Sequence, residues 1–252
     1  MGPRISVLTY HSISADPGPT SIPPTVFRGH LEVLAECGYR PIPLGDLASW
    51  LRGGAEPPAG SVVITFDDGF TDFAEHAAPL LAARGWSATV FLPTGKMGGR
   101  EDWAGANTAP ARSLMSWEQV KELAGRGIEF GGHSVTHPNL TALPPDQLER
   151  EVRQCRDEIT DRLGREPISF APPYGASSAR VREEIAKWYR ISVGTRLERA
   201  GRDSDRYDVP RIEMHYFRNL GRWRAYLEGR AEWYFGLRRT LRAVRGVTVG
   251  RW

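Results

Sequence analysis

The sequence predicts an α/β protein that forms a distorted (β/α) barrel of about seven strands in a single domain. Short runs of β-forming residues alternate with helix-like segments along the chain, which is the pattern of a parallel sheet or barrel. The chain has 252 residues with 40% hydrophobic content, which is enough to bury one full core. These two observations favour one domain over several.

Seven short apolar segments are candidate strands. A parallel sheet with this many strands can close, or nearly close, into a barrel. The predicted strands cover residues 5–10, 62–66, 88–92, 128–131, 168–171, 191–193 and 209–212.

Helical segments separate these strands. Apolar residues recur at spacings of four, three, four and four from Leu148 to Leu163, which predicts an amphipathic helix. Ser116 followed by Gln119 is the pattern of a capping box that opens another helix. Residues 95–112, rich in Gly and Ala around Trp103, are predicted to form a long loop over the sheet, and such loops are often functional.

Charge and cysteine content exclude several classes of protein. With 33 Lys and Arg against 30 Asp and Glu, the formal charge is only +3, so no nucleic-acid partner is expected. Cys37 and Cys155 lie far apart at helix-like apolar positions and are predicted to be buried free thiols. No signal peptide or membrane-spanning stretch is visible, so the expectation is a cytoplasmic protein if the sequence begins at the native start.

Polar residues that could take part in catalysis or metal binding follow four of the predicted strands. In parallel α/β architectures the carboxyl ends of the strands meet at one rim, where active sites are built. The segments concerned are Tyr10-His11, Asp67-Asp68-Gly69, His133 and Pro172-Pro173-Tyr174-Gly175.

The pair His133 and His137, together with an aspartate from another loop, predicts a His2Asp metal site with open positions for water and substrate. Pro138 ends the turn, so the two histidines are expected on a tight loop. Of Asp67 and Asp68, one can act as a ligand while the other acts as a general base. The alternative for each motif alone is an ordinary turn or loop.

These residues resemble the polysaccharide deacetylases of carbohydrate esterase family 4, over roughly residues 5 to 214. Residues 65–69 are similar to the family's Thr-Phe-Asp-Asp-Gly motif and residues 133–137 to its His-Ser-x-x-His motif. The resemblance implies a catalytic base, Asp67, and three ligands of Zn2+ or another divalent transition metal, Asp68, His133 and His137. It also implies that Tyr174 donates its backbone N–H to an oxyanion hole.

The resemblance further implies removal of N-acetyl groups from an amino sugar or a glycan containing N-acetylglucosamine, with release of acetate. A related metal-dependent amidase acting on a non-sugar C–N bond, or an inactive glycan-binding module, remains an alternative. The branch acting on poly-N-acetylglucosamine is the most similar. Residues 1–215 would form the catalytic domain, and residues 216–252 a basic helical extension packed on or flanking the barrel. This arginine-rich extension is either simply solvated or makes peripheral contact with a membrane or an acidic polymer.

The chain departs from the family pattern at Ala171, where the common motif has an arginine that orients the base. Arg211, at another predicted strand end, is the candidate substitute, although a surface arginine is an equal alternative. The general acid is predicted to be His11, which resembles the histidine of the poly-N-acetylglucosamine branch, with His215 as the alternative.

The remaining aromatic residues and histidines are predicted to contact the substrate or to be structural. Trp103, in the long loop, is the candidate for stacking on a sugar ring, and Pro173 beside Tyr174 is a second candidate for substrate contact. The other candidates are expected to be structural: Trp86 and Trp117 in core packing, and His30 and His76 as partly exposed helix residues.

Overall fold

One curled sheet of eight strands forms the centre of the computed structural model, which describes residues 2–103, 111–231, 234 and 236–238. All pairs between these strands are parallel, and seven strands follow one path in the order β7-β6-β5-β4-β3-β1-β8. The strands are β1 Ser6–Tyr10, β2 Arg40–Pro41, β3 Ser61–Phe66, β4 Thr89–Leu92, β5 Glu129–Gly132, β6 Ser169–Phe170, β7 Ile191–Ser192 and β8 Ile212–Glu213.

The two ends of this path approach each other beyond β7 and ahead of β8. Val193 and Val209 form an isolated parallel bridge, in which Val209 N–H donates to the carbonyl oxygen of Ser192 at 3.0 Å. Gly194 N–H in turn donates to the carbonyl oxygen of Val209 at 2.8 Å. The predicted distorted (β/α) barrel in a single domain is therefore confirmed.

Helices surround the sheet, and two of them match particular predictions. The helix predicted from the spacing between Leu148 and Leu163 lies within α5, and the capping box is present at the start of α4, where Gln119 N–H donates to Ser116 Oγ. A π-helical turn, Phe73–Ala77, leads into α3. The helices are α1 Pro24–Glu36, α2 Leu44–Leu51, α3 Ala78–Ala82, α4 Trp117–Gly125, α5 Pro145–Leu163, α6 Ala179–Trp188 and α7 Leu220–Leu227.

The alternation of side chains along each strand separates two apolar layers. Leu8 and Tyr10 of β1 point outward and pack in the cluster that joins the sheet to α1. Ile5 and Val7 point inward, into a second cluster inside the barrel. Side chains of α2, among them Trp50, belong to this inner cluster, so α2 closes the amino end of the barrel.

One strand was missed, and the predictions for a strand boundary, for His30 and for Cys37, which is only half-buried, were wrong. The strand β2 was not predicted, because its two residues carry no apolar run. The strand predicted at 209–212 begins only at Ile212, because Pro210 has no N–H to donate to a ladder. His30 is fully buried instead of partly exposed.

His30 is buried because both of its ring nitrogens have partners inside the core. Nε2 lies 2.9 Å from the carbonyl oxygen of Phe217, to which it can only donate, so Nδ1 accepts from the Tyr10 hydroxyl at 3.1 Å. Burial lowers the pKa of His30 to about 4, so the ring is neutral at pH 7. His30 therefore links β1 to the segment after β8.

The predicted extension from residue 216 is described only in part. Trp223 of α7 is fully buried, and its Nε1 donates to the carbonyl oxygen of His30. Trp223 is therefore not exposed on the surface of the extension. Residues 239–252 lie outside the described residues, and the domain boundary and membrane contact stay predictions. Among the described residues, every helix is too short or too polar to span a bilayer.

Candidate active site at the barrel rim

The side chains that point into the barrel change from apolar to polar toward the carboxyl ends of the strands. Thr9 of β1 is in register with Thr65 of β3 and with Glu213 of β8. Residues two positions away point to the same side of a strand. This alternation brings His11 and Asp67 to the inner face of the rim, and the predicted site residues meet there.

Three of these side chains converge on one point. Asp68 Oδ1 lies 3.3 Å from His133 Nε2 and 3.2 Å from His137 Nε2, and one ligand atom from each residue lies within 4.8 Å of the others. All three residues are buried. Burial opposes ionisation of Asp68, but hydrogen bonds from His133 and His137 outweigh it and hold the pKa of Asp68 well below its usual range.

The arrangement of the two imidazoles fits a divalent metal ion. His133 Nδ1 donates to the carbonyl oxygen of Ala171 at 2.6 Å, so Nε2 is the nitrogen that faces Asp68. Its lone pair would bind a metal ion after loss of the proton that it otherwise donates to Asp68. His137 Nδ1 is buried without a partner among the described residues, and its ring lies against Trp103, with centroids 4.2 Å apart. Two imidazole nitrogens and one carboxylate form a donor set typical of zinc.

Strained backbone is concentrated at this rim. Within the described ranges, four residues other than glycine have a positive φ, and all four belong to the candidate site. Such conformations are unfavourable for residues with a Cβ, and they persist where the surroundings impose them. They are Asp68 (φ 73°), Ser134 (φ 65°), His137 (φ 62°) and Tyr174 (φ 59°).

The loop that carries both histidines is held from within and from a neighbouring helix. Ser134 Oγ accepts a hydrogen bond from His137 N–H at 3.0 Å. Glu151 of α5 accepts hydrogen bonds from the backbone of Val135 and Thr136. Glu151 was not among the predicted residues. The signal that indicates it is a charged residue three positions after Leu148, on the apolar face of the predicted helix.

Arg211 forms a bidentate ion pair with Asp67. Arg211 Nη1 lies 2.7 Å from Asp67 Oδ1, and Nη2 lies 2.8 Å from Oδ2. The arginine is only 2% exposed, and its Nε donates to the carbonyl oxygen of Gly194. Burial raises the pKa of Asp67, but the Arg211 guanidinium outweighs it, so the pKa lies below its usual value. Arg211 is therefore buried beside Asp67, so the alternative of a surface arginine is wrong, while its role as substitute for the motif arginine stays a prediction.

Of the two candidate general acids, His11 lies beside Asp67. His11 Nε2 is 3.8 Å from Asp67 Oδ2. Glu213, on the same inner face, is a partly buried carboxyl group whose pKa is raised by desolvation, although the neighbouring His11 and Arg211 oppose the rise. The pKa of His215 is lowered by burial and by two cations outside this cluster, Arg218 and Arg238.

The predicted substrate-contacting residues border the metal ligands. Tyr174 lies in the short 3-10 turn Pro173–Gly175 after β6, and its ring meets the ring of His137 edge-on at 4.8 Å. Trp103 stacks on the same histidine, so these two aromatic rings form walls beside it. Trp86 and Trp117 pack against the core, as expected.

Comparisons with known proteins agree with this geometry. A family model for polysaccharide deacetylases matches residues 54–189, more than half of the chain. The Bacillus subtilis (strain 168) protein YxkH is 26% identical over 226 residues, which cover 89% of this chain and 76% of that protein. The Escherichia coli (strain K12) poly-beta-1,6-N-acetyl-D-glucosamine N-deacetylase is 29% identical over 135 residues. That match covers 50% of this chain but only 20% of the E. coli protein.

Two solved structures share the fold. The Streptococcus pyogenes deacetylase PplD, in complex with acetate, has a TM-score of 0.74 at 24% identity, covering 84% of this chain and 92% of PplD. IcaB from Ammonifex degensii also has a TM-score of 0.74 at 24% identity, covering 88% of this chain and 97% of IcaB. The match to the family model, extending over the strands that carry the aspartates and histidines of the rim, shows that this chain belongs to the polysaccharide deacetylase family, carbohydrate esterase family 4.

Proposed function

We propose that this protein is a metal-dependent N-deacetylase that removes acetyl groups from an N-acetylated amino sugar, in a glycan that contains N-acetylglucosamine. The observation that carries the proposal is the cluster of Asp68, His133 and His137 beside a separate carboxylate, Asp67, which is paired with Arg211. A ligand set with an adjacent, ionised base is what the hydrolysis of an unreactive amide requires. The name of the E. coli relative supports the class of substrate.

Asp68, His133 and His137 would hold Zn2+ or another divalent transition metal. When bound, the ion supplies Lewis acidity, which lowers the pKa of a water molecule and polarises the acetyl carbonyl group. The hydrogen bond from His133 Nδ1 to Ala171 suits this role, because Nε2, once deprotonated, offers its lone pair to the ion.

Asp67 would accept the proton of the attacking water. Arg211 engages both carboxylate oxygens and lowers the pKa of Asp67, so the base is ionised and fixed in orientation before substrate binds. The two hydrogen bonds leave further lone pairs on the same oxygens for the proton. Arg211 thus serves as a positioning residue.

Charge then develops on the former carbonyl oxygen and on the leaving nitrogen. The Tyr174 N–H, turned by a positive φ, would donate to the oxyanion. His11 would give a proton to the amino-sugar nitrogen as the C–N bond breaks. The products are acetate and a free amino sugar.

The test measures acetate release from N-acetylglucosamine monomers and oligomers by purified protein of known metal content. We expect release that a chelator abolishes and added Zn2+ restores, and release that is at least about a hundredfold slower in the Asp67→Asn variant. Release from non-sugar amides alone would indicate a different amidase. Glycan binding with no metal and no acetate release would indicate a binding module.

A further inference from the structure

Helix α5 places a buried carboxylate behind the loop that carries both histidines. Glu151 is 6% exposed, and it lies on the same face of α5 as the buried Leu148 and Cys155. Within the part of the chain that the structure describes, no lysine or arginine pairs with it. A buried carboxylate without a cation is costly unless several donors surround it.

Three donors surround Glu151, and all of them come from the two residues in the middle of the loop. Oε2 accepts from Val135 N–H at 2.8 Å and from Thr136 N–H at 2.9 Å. Oε1 accepts from Thr136 Oγ1 at 2.8 Å. Hydrogen bonds to an ionised acceptor are stronger than neutral ones, so this is a firm attachment of the loop to the helix.

The loop needs such an attachment because its own backbone is strained. Ser134 and His137, on either side of the attached pair, both have a positive φ. The bond from His137 N–H to Ser134 Oγ joins these two strained residues, but it does not fix the loop relative to the rest of the protein. The N–H groups of Thr94 and Gly95 attach one side of the loop, by donating to the carbonyl oxygens of Ser134 and Val135. Glu151 attaches the other side through the loop's own N–H groups, and it touches neither imidazole ring.

We propose that Glu151 is a positioning residue, which holds the loop in the one conformation that aims both imidazoles at Asp68, and thereby sets the affinity of the site for its metal ion. The inference rests on the proposed function, since it assumes that the cluster binds a metal. It adds a carboxylate that is neither a ligand nor the base.

Two substitutions separate the hydrogen bonds from the charge. Glu151→Ala removes all three bonds. Glu151→Gln keeps an oxygen that can accept from both N–H groups and an amide that can donate to Thr136 Oγ1, but it removes the charge.

The matched control is Glu184→Ala. Glu184 is another buried helix glutamate, on α6, and it accepts hydrogen bonds from Lys187 Nζ at 2.6 Å and Trp188 Nε1 at 3.0 Å, away from the histidine loop. It reports what the loss of a buried glutamate does to the protein without touching the loop.

The measurements are the Zn2+ dissociation constant of metal-free protein, by calorimetry or competition with a chromophoric chelator, and thermal unfolding of the same metal-free samples. We expect Glu151→Ala to weaken Zn2+ binding by about tenfold to a hundredfold, as is typical when a group that orients ligands is lost. Glu151→Gln is expected to weaken it less, by about threefold to tenfold, because neutral hydrogen bonds replace charged ones. Glu184→Ala should lower the unfolding temperature and leave the Zn2+ affinity of the wild type unchanged.

The outcomes separate this inference from the proposed function. Wild-type protein that binds no Zn2+ contradicts both. Wild-type protein that binds Zn2+ while a folded Glu151→Ala variant binds it equally tightly overturns the role of Glu151 alone. If Glu151→Ala does not fold, Glu151→Gln decides, and wild-type affinity in that variant overturns the inference. A loss of affinity in Glu184→Ala equal to that in Glu151→Ala would also overturn it, because the effect would then be one of general stability.

Discussion

The two ends of the barrel interior are built from opposite kinds of residue. The amino end is filled by apolar side chains such as Val7 and Ile191, which lie in ordinary strands and contribute to stability through burial. The rim holds buried charges such as Asp67 and Arg211, and it contains the strained backbone described above. The residues of the proposed chemistry therefore lie at one end of the barrel axis only, so substitutions at the amino end should change stability without changing activity.

The largest expected effect on activity is that of Asp67→Asn at the rim. The amide cannot accept a proton at neutral pH, so we expect kcat/KM for acetate release to fall by about a hundredfold to ten-thousandfold. Because the predicted metal ligands are untouched, the variant should still bind Zn2+, which metal analysis will show. Activity near that of the wild type would mean that Asp67 is not the base.

Substitution of His11 and of His215, one at a time, shows which of the two histidines is the general acid. We expect His11→Ala to lower kcat/KM by about a hundredfold, because the leaving nitrogen loses its proton donor. His215→Ala, matched in chemistry but placed among Arg218 and Arg238, should lower it less than about tenfold. Steady-state kinetics of both variants gives the answer, and the reverse order of effects would reassign the acid.

Arg211→Gln should affect both activity and stability, because Arg211 links the rim to the barrel wall. We expect kcat/KM to fall by about tenfold to a hundredfold through loss of orientation of Asp67. Without the guanidinium the pKa of Asp67 rises, and the base is active only when ionised, so the acid limb of the pH profile should move to higher pH.

The same variant should lose about 3 to 5 kcal/mol of unfolding free energy, since it leaves the buried charge of Asp67 unpaired. Urea denaturation at pH 7 measures this loss. An unshifted acid limb in a folded variant would show that Arg211 does not tune Asp67.

The smallest expected effect on activity is that of Ile191→Ala at the amino end. This fully buried residue lies in the inner cluster of the barrel, so we expect a loss of about 2 to 5 kcal/mol in unfolding free energy. The kcat/KM of the folded variant should equal that of the wild type. A large loss of activity at temperatures where the variant is fully folded would contradict this separation of stability from activity.

Most of this arrangement could be predicted from the sequence, because residues that directly follow a strand lie at the end of that strand. The motifs at Asp67–Asp68 and at His133 follow apolar runs, and parallel strands bring such ends to one rim. The alternation of strands and helices was enough to predict the barrel. Short elements such as β2, and the displacement of β8 by Pro210, depend on pairing partners that no local pattern reveals.

Residues that act through distant partners were harder to predict. Arg211 was one of several arginines in the sequence, and only the close approach of β8 to β1 brings it to Asp67. The burial of His30 depends on Tyr10 and Phe217, which lie 20 and 187 positions away. Glu151 carried a local signal, a charge on an apolar helix face, but its partners lie in another loop.

The two ends of the strand path meet at the bridge between Val193 and Val209, and this junction is where we expect slow opening of the barrel. It consists of one isolated bridge and not of a regular strand pair. Arg211 lies on it, since its backbone N–H donates to the carbonyl oxygen of Arg196 and its Nε to that of Gly194. Local unfolding begins where few contacts must be broken. We expect the amides of residues 193 to 211 to exchange with deuterium before those of β3 and β4, and each such opening to detach the guanidinium from its aspartate.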